Sequence, residues 1–262
     1  MTALLSKWVL QQSTTIFCAY YTSPIQPLST ILNIPRLFST PHTADQISAI
    51  WTAYHVSLTG GTGRGYICAS VPLKLYEKMM TVSAKYPVFV APILRAQKDP
   101  SGEAEKAYEF YFLQWSFHGA PPVPSAIEDP FTIPNAASNS SQISTVMFTP
   151  LQEYKMRETF ATPYLVLTFY TDLSNSHGTV LMRGEITPGA AGAVSDVNDA
   201  AGPKGKHLLS QEDAQLLAMQ VQRFYLWENE KDREGERLLK VFHEQPQEFK
   251  WEDLLKQANL PM

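Results

Sequence analysis

The chain has 262 residues, 44% hydrophobic, 11% aromatic and 18% charged, a mix that excludes a disordered or fibrous protein and fits one globular unit. Its formal net charge of −4 withholds the general attraction that nucleic-acid binding draws from phosphate neutralisation. The separation of the two cysteines, Cys18 and Cys68, fits neither a zinc ligand pair nor a disulfide framework, and no apolar run reaches the ~18 residues of a membrane span, so a soluble protein of a reducing compartment is expected.

From Met1 to Thr43 there is no acidic residue, and Lys7 and Arg36 are the only lysine or arginine. Acid-poor, hydroxyl-rich leaders are a feature of transit peptides. Residues 1–27 therefore read as a flexible N-terminal segment or a residual transit peptide, with Leu4, Leu5, Trp8 and Val9 able to form a short amphipathic helix. Pro24, Pro27, Pro35 and Pro41 predict an extended path up to His42. Within it lies an apolar segment, LSTILNI, at Leu28–Ile34.

Thr43 with Gln46 three residues on forms a capping box and predicts a helix that runs to Gly60-Gly61. Its apolar stripe reads Ile47, Ile50, Trp51, Tyr54 and Leu58. Gly65–Val71 reads as a strand, Pro72 opens a helix to about Ala84, and Pro87–Leu94 is a second strand that Pro92 marks as an edge or a bulge. A charged turn at Lys98–Lys106 leads to AYEFYFLQWSF at Ala107–Phe117. There Tyr108, Phe110 and Phe112 point one way, and Tyr111, Leu113, Trp115 and Phe117 the other. A half-buried strand would show one polar face, so this one is predicted to be covered on both sides.

The stretch at 118–142 is rich in Pro, Ala, Ser and Asn and reads as a long mobile loop. Ile143–Thr149 resumes a strand, Leu151–Phe160 holds a short helix, and Pro163–Tyr170 and Gly178–Ile186 are strands whose short link makes them antiparallel neighbours. A second loop covers 187–206. Ser210 then caps a strong helix, aided by Asp213, with Ala214, Leu217, Ala218, Val221, Phe224 and Tyr225 as its core stripe. Charged and amphipathic helices follow at Arg233–His243 and Phe249–Gln257. Strands and helices do not alternate cleanly, so the expected fold class is α+β, a mostly antiparallel sheet covered by helices in a single domain over residues 28–260.

Catalytic signals are weak. Gly60–Gly65, GGTGRG, has a helix before it and a strand after it, the reverse of a phosphate-cradling loop, so a plain connection outweighs a nucleotide module. Cys68 with His177 and Asp172 spells a thiol hydrolase, the alternative function. Yet Cys68 falls mid-strand, where a small buried thiol is ordinary packing. The six histidines show no metal-ligand spacing and read as surface or capping residues.

Several blocks, in order, carry a family resemblance. STILNI at Ser29–Ile34 and TADQISAIWTAYH at Thr43–His55 resemble the start of a mitochondrial ATP synthase assembly-factor domain. YPVFVAPILR at Tyr86–Arg95 and YEFYFLQW at Tyr108–Trp115 are similar to its first strands. LVLTFYTDLSNSHGTVLMRGEI at Leu165–Ile186 resembles its central block. AQLLAMQVQRFYL at Ala214–Leu226 and LLKVFHEQPQEFKWEDLL at Leu238–Leu255 resemble its end. Both long loops look expanded beside the family pattern, and the leader looks short and arginine-poor.

The resemblance implies a matrix protein that is not an enzyme and uses no cofactor. Its implied partner is the unassembled β subunit of the catalytic sector, held from aggregation until the α subunit replaces it. No nucleic acid and no membrane insertion are expected, and the free protein should be a monomer. The partner contact is placed on Ile31, Leu32, Ile34 and Leu37, and on Phe224 and Tyr225. Two alternatives stay open: that Leu28–Leu37 packs on the protein's own sheet, and that Phe224 and Tyr225 are core.

Overall fold

Proline starts the first two helices instead of excluding them. In the computed structural model, which describes residues 25–98, 104–118, 143–157, 161–189, 207–227 and 233–258, α1 (Leu28–Ile31) follows Pro27 and α2 (Ile34–Ser39) carries Pro35 in its first turn. At the first helical positions the missing N–H has no intrahelical acceptor to lose, and the fixed φ of proline is already helical. The expected extended path is thus corrected to two short helices. Asn33 caps α2, its Oδ1 accepting from the Arg36 amide at 3.1 Å. The leader through residue 24, the turn at 99–103 and nearly all of both long loops lie outside the described residues.

α3 (Ala44–Leu58) opens on the expected capping box, the Gln46 amide donating to Thr43 Oγ1 at 3.2 Å and the Thr43 amide to Gln46 Oε1 at 2.9 Å. Its buried seam is Ile47, Trp51 and His55, spaced every four residues. Ile50 and Leu58, expected on the apolar stripe, are exposed instead. The seam is narrow because one helix face alone meets the sheet, and Trp51 anchors it by donating from Nε1 to the Met182 carbonyl at 3.0 Å. His55, expected at the surface, is buried on that same seam.

The strands are β1 (Tyr66–Pro72), β2 (Val88–Lys98), β3 (Ala104–His118), β4 (Ile143–Pro150), β5 (Leu165–Tyr170) and β6 (Thr179–Ile186). They form one six-stranded sheet in the order β1-β6-β5-β4-β3-β2, every neighbouring pair antiparallel. Between them lie α4 (Leu73–Lys85), α5 (Leu151–Arg157) and α6 (Ser174–His177); α7 (Gln211–Tyr225), α8 (Arg233–Glu244) and α9 (Trp251–Ala258) close the chain. The α+β architecture with an antiparallel sheet is as the sequence predicts.

The sheet is strongly curled, and α7 lies between its two edges. Six flat strands would span about 24 Å across the sheet. Yet Gln211 Nε2 donates to the Tyr66 carbonyl on edge strand β1 at 2.5 Å, while Asp213, two residues later, accepts from Arg95 Nη1 on the opposite edge strand β2 at 2.6 Å. One helical turn cannot reach both edges unless the sheet bends toward it. Further along, Gln220 Nε2 donates to the Pro92 carbonyl at 2.7 Å and the Tyr225 hydroxyl to the Tyr86 carbonyl at 3.0 Å. The helix thus acts as a stave in the gap of an incomplete barrel, its inner side formed by Ala214, Leu217, Val221, Phe224 and Tyr225.

The main core fills the concave side. Phe89 packs against Phe224 at 4.7 Å and Phe242 at 5.2 Å, and Trp115 meets Tyr225 at 5.3 Å. Gly184 makes this packing possible, since a Cβ there would lie 2.2 Å from Ile67 Cγ1. The aromatic strand β3 is covered on both sides as predicted: Tyr111, Leu113 and Trp115 join this core, while Phe112 on the other face meets Tyr154 of α5 at 4.5 Å. A smaller core on the convex side joins α1, α2 and α3 to Ile143, Tyr170, Leu173 and Leu181.

Candidate partner-binding site

The six residues on which sequence reasoning places the contact fall in two different places. Ile31, Leu32 and Leu37 are buried in the convex core, with Ile34 half-buried beside them. Phe224 and Tyr225 are buried in the concave core. The Tyr225 phenol is pushed well above its ordinary pKa by complete burial. In this conformation five of the six face the protein's own interior, and Ile34 alone is partly open to solvent.

The exposed faces of α2 and α3 are unusual in composition. Phe38 on α2 is 54% exposed, its ring stacked on His177 at 6.1 Å. On α3, Ala49, Ile50, Ala53, Val56 and Leu58 are exposed, and Asp45 is the one Asp, Glu, Lys or Arg from Ala44 to Leu58. A solvated helix normally presents charge on its outer face, and contiguous apolar surface marks a contact region. The sequence already carries this signal, since α3 has apolar residues beyond those one seam can bury.

A second concavity, missed from sequence, opens where β4 ends. It is a groove of about 1030 Å³ between β3 and α5, lined among others by Tyr108, Phe110, Pro150, Leu151, Lys155 and Met156. Met156 is 71% exposed, and Leu94, opposite Tyr108 on β2, is exposed too. At one wall Arg95 is held by Glu109 and Asp213, each at 2.6 Å. Burial opposes the charge on this guanidinium, but the hydrogen bonds it donates to Asp213 and Glu109 carry its pKa above the ordinary value. Tyr111, buried in the core behind Glu109, is raised by burial first and by Glu109 second. The groove could be sought in the sequence only through register, because β3 runs seven residues past the point where β4 stops.

The hydrolase arrangement does not assemble. Cys68 stands opposite Arg183 in the β1–β6 ladder. Burial pushes its thiol pKa up, with Thr52 as its hydrogen-bonding neighbour. Among the described residues His177 bonds Ser176 Oγ at 2.8 Å, and Asp172 Oδ2 is buried without a hydrogen-bond partner. The thiol is therefore neither paired with a base nor activated. Gly60, Gly61, Gly63 and Gly65 take positive φ in the turn from α3 to β1, where Gly65 faces the His207 ring. No metal-ligating cluster and no helix long and apolar enough to cross a membrane occur among the described residues.

A family model described as "ATP11 protein" matches residues 11–255. "Protein atp11, mitochondrial" of Schizosaccharomyces pombe is 26% identical over 203 residues, which are 78% of this chain and 52% of that protein. The chain thus spans about half the length of that relative. Because the family model extends from within the leader into α9 and so covers most of the chain, the chain belongs to the ATP11 protein family.

Proposed function

We propose that this protein is an assembly chaperone of the mitochondrial ATP synthase. It binds the unassembled β subunit of the catalytic sector and prevents its aggregation until the α subunit takes its place. It acts by stoichiometric binding in the matrix, as a monomer when free, with neither cofactor nor turnover. The family match over residues 11–255 carries this reading, and the mitochondrial relative supports its location.

An unassembled subunit exposes an apolar interface, and a holder that covers it blocks off-pathway association. The holder must release, which calls for a moderate contact with a polar rim. The α2–α3 surface suits that task. Ile34 and Phe38 of α2 with Ile50 and Val56 of α3 meet the subunit, while Ile31, Leu32 and Leu37 hold the segment in place from beneath. Phe224 and Tyr225, buried in the separate concave core, hold α7 to the sheet. The test is capture of purified subunits by the immobilised protein. Retention of β over α is expected, and failure to retain β would overturn the assignment.

A further inference from the structure

The groove beside α5 exposes a stretch of β3 that, among the described residues, lacks a strand on one side. β3 pairs with β2 from Ala104 to Gln114, whereas its pairing with β4 begins only at Tyr111, opposite Pro150. The next pair in register would set Phe110 against Leu151, but Leu151 is already the first residue of α5. The chain leaves the sheet there, and among the described residues β3 continues alone on that side.

The ladder fixes which backbone groups face the gap. The Trp115 amide donates to the Pro87 carbonyl at 2.8 Å, so odd-numbered residues of β3 turn their N–H and C=O toward β2. Even-numbered residues turn theirs the other way. Phe112 thereby meets Thr149 of β4, and the register, continuous through this stretch, directs the Phe110 backbone into the groove. An exposed strand edge above an apolar floor is the geometry that accepts an added strand.

The charges select among such strands. Arg95 is neutralised by Glu109 and Asp213, and Arg157 lies 3.6 Å from Glu153. Lys155 stands exposed on the rim and makes no ion pair among the described residues. The Arg95 wall, one guanidinium with two carboxylates, is therefore negative, and the positive charge of the groove sits on Lys155.

We infer that the groove between β3 and α5 docks an extended, apolar segment of the partner protein that bears a carboxylate opposite Lys155, and that this segment adds to the open edge of β3. The inference rests on the proposed function, with the unassembled β subunit as the partner that supplies the segment. Phe110 and Met156 form the apolar floor and wall, and the added strand alternates its side chains between that floor and solvent.

The full-length protein and its Met156→Asp and Lys155→Glu variants are compared for capture of purified β subunit, with Met219→Asp on the outer face of α7 as the control. Met156, Lys155 and Met219 are exposed, so the fold should tolerate all three changes. Met156→Asp and Lys155→Glu are expected to weaken capture at least tenfold and Met219→Asp to leave it unchanged. Hydrogen exchange of the Tyr108 and Phe110 amides should slow in the complex. Undiminished capture by both groove variants, with no protection of these two amides, overturns the inference and leaves the chaperone reading standing. Capture of no β subunit by the unaltered protein overturns the chaperone reading, and the inference falls with it. A concentration-dependent dimer that Met156→Asp abolishes would assign the groove to a second copy and also overturn it.

Discussion

Gln220 donates from Nε2 to the carbonyl of Pro92 at 2.7 Å, and this one bond seals the outer edge of β2. Pro92 has no N–H to offer an added strand, and Gln220 occupies its outward-facing carbonyl. At the other edge the pattern repeats: Pro72 ends β1, and Gln211 takes the outward-facing carbonyl of Tyr66. Edge strands are a hazard for unwanted pairing, and proline with a covering side chain is one way to blunt them. Substituting Gln220 by Leu leaves a buried carbonyl without its donor. A loss of about 1–3 kcal/mol in urea unfolding is expected. Gln215→Leu on the exposed face of α7 should change stability by less than about 0.5 kcal/mol. Equal effects of the two substitutions would contradict the sealing role.

The convex core and the surface above it should separate in experiment. Ile31 and Leu32 are buried, so Ile31→Ala and Leu32→Ala are each expected to cost about 2–3 kcal/mol and to lower the melting temperature. Phe38→Ser and Ile50→Ser alter exposed side chains and should leave melting nearly unchanged while weakening capture of the β subunit. If the surface substitutions leave capture intact, the contact lies elsewhere on the molecule.

His55 gives a pH dependence with a defined sign. Its Nδ1 lies 2.8 Å from the Trp51 carbonyl, to which it can only donate, and its Nε2 is buried without a partner. Burial, with Arg183 nearby, holds its pKa below 6.5 despite the opposing Trp51 bond. Above 6.5 both folded and unfolded states are neutral and stability is complete. As pH falls below 6.5 the unfolded chain takes up the proton first, so stability declines until the depressed folded pKa is passed. Burial lowers His118 and His243 in the same direction. Urea unfolding from pH 7.5 to 5 should show this decline, and His55→Leu should make it shallower. An unchanged slope in His55→Leu would place the pH dependence on other groups.

Cys68 should be a slow thiol. Burial raises its pKa above 9.0 in the folded protein, which leaves less thiolate at neutral pH than a free cysteine has. Iodoacetamide should label it more slowly than glutathione at pH 7.5, and at the rate of an ordinary thiol only after unfolding. Labelling of the native protein faster than glutathione would restore the case for a nucleophile.

Much of this fold is legible in local chemistry. Thr43 with Gln46 and Ser210 with Asp213 announce α3 and α7 because a cap is settled within three residues of sequence. The double-sided apolar alternation of Ala107–Phe117 reveals a covered strand, since period two places consecutive residues on opposite faces. Proline is less readable. Pro27 and Pro35 start α1 and α2, because the same residue that breaks a helix interior suits its first turn.

The candidate sites are only partly legible. Ile31, Leu32, Phe224 and Tyr225 are recognisable as apolar but not as inward or outward, because a hydrophobic side chain looks the same in a core and in an interface. Short-range sequence chemistry and the run of family blocks determine the elements, the antiparallel α+β class and the family. Tertiary structure alone decides the curl that brings Tyr66 and Arg95 to one turn of α7, the burial of His55, and the unpaired half of β3. Each of these depends on strand register and sheet curvature, which join residues far apart in the chain, more than a hundred positions for the curl, and so leave no trace in any local window of sequence.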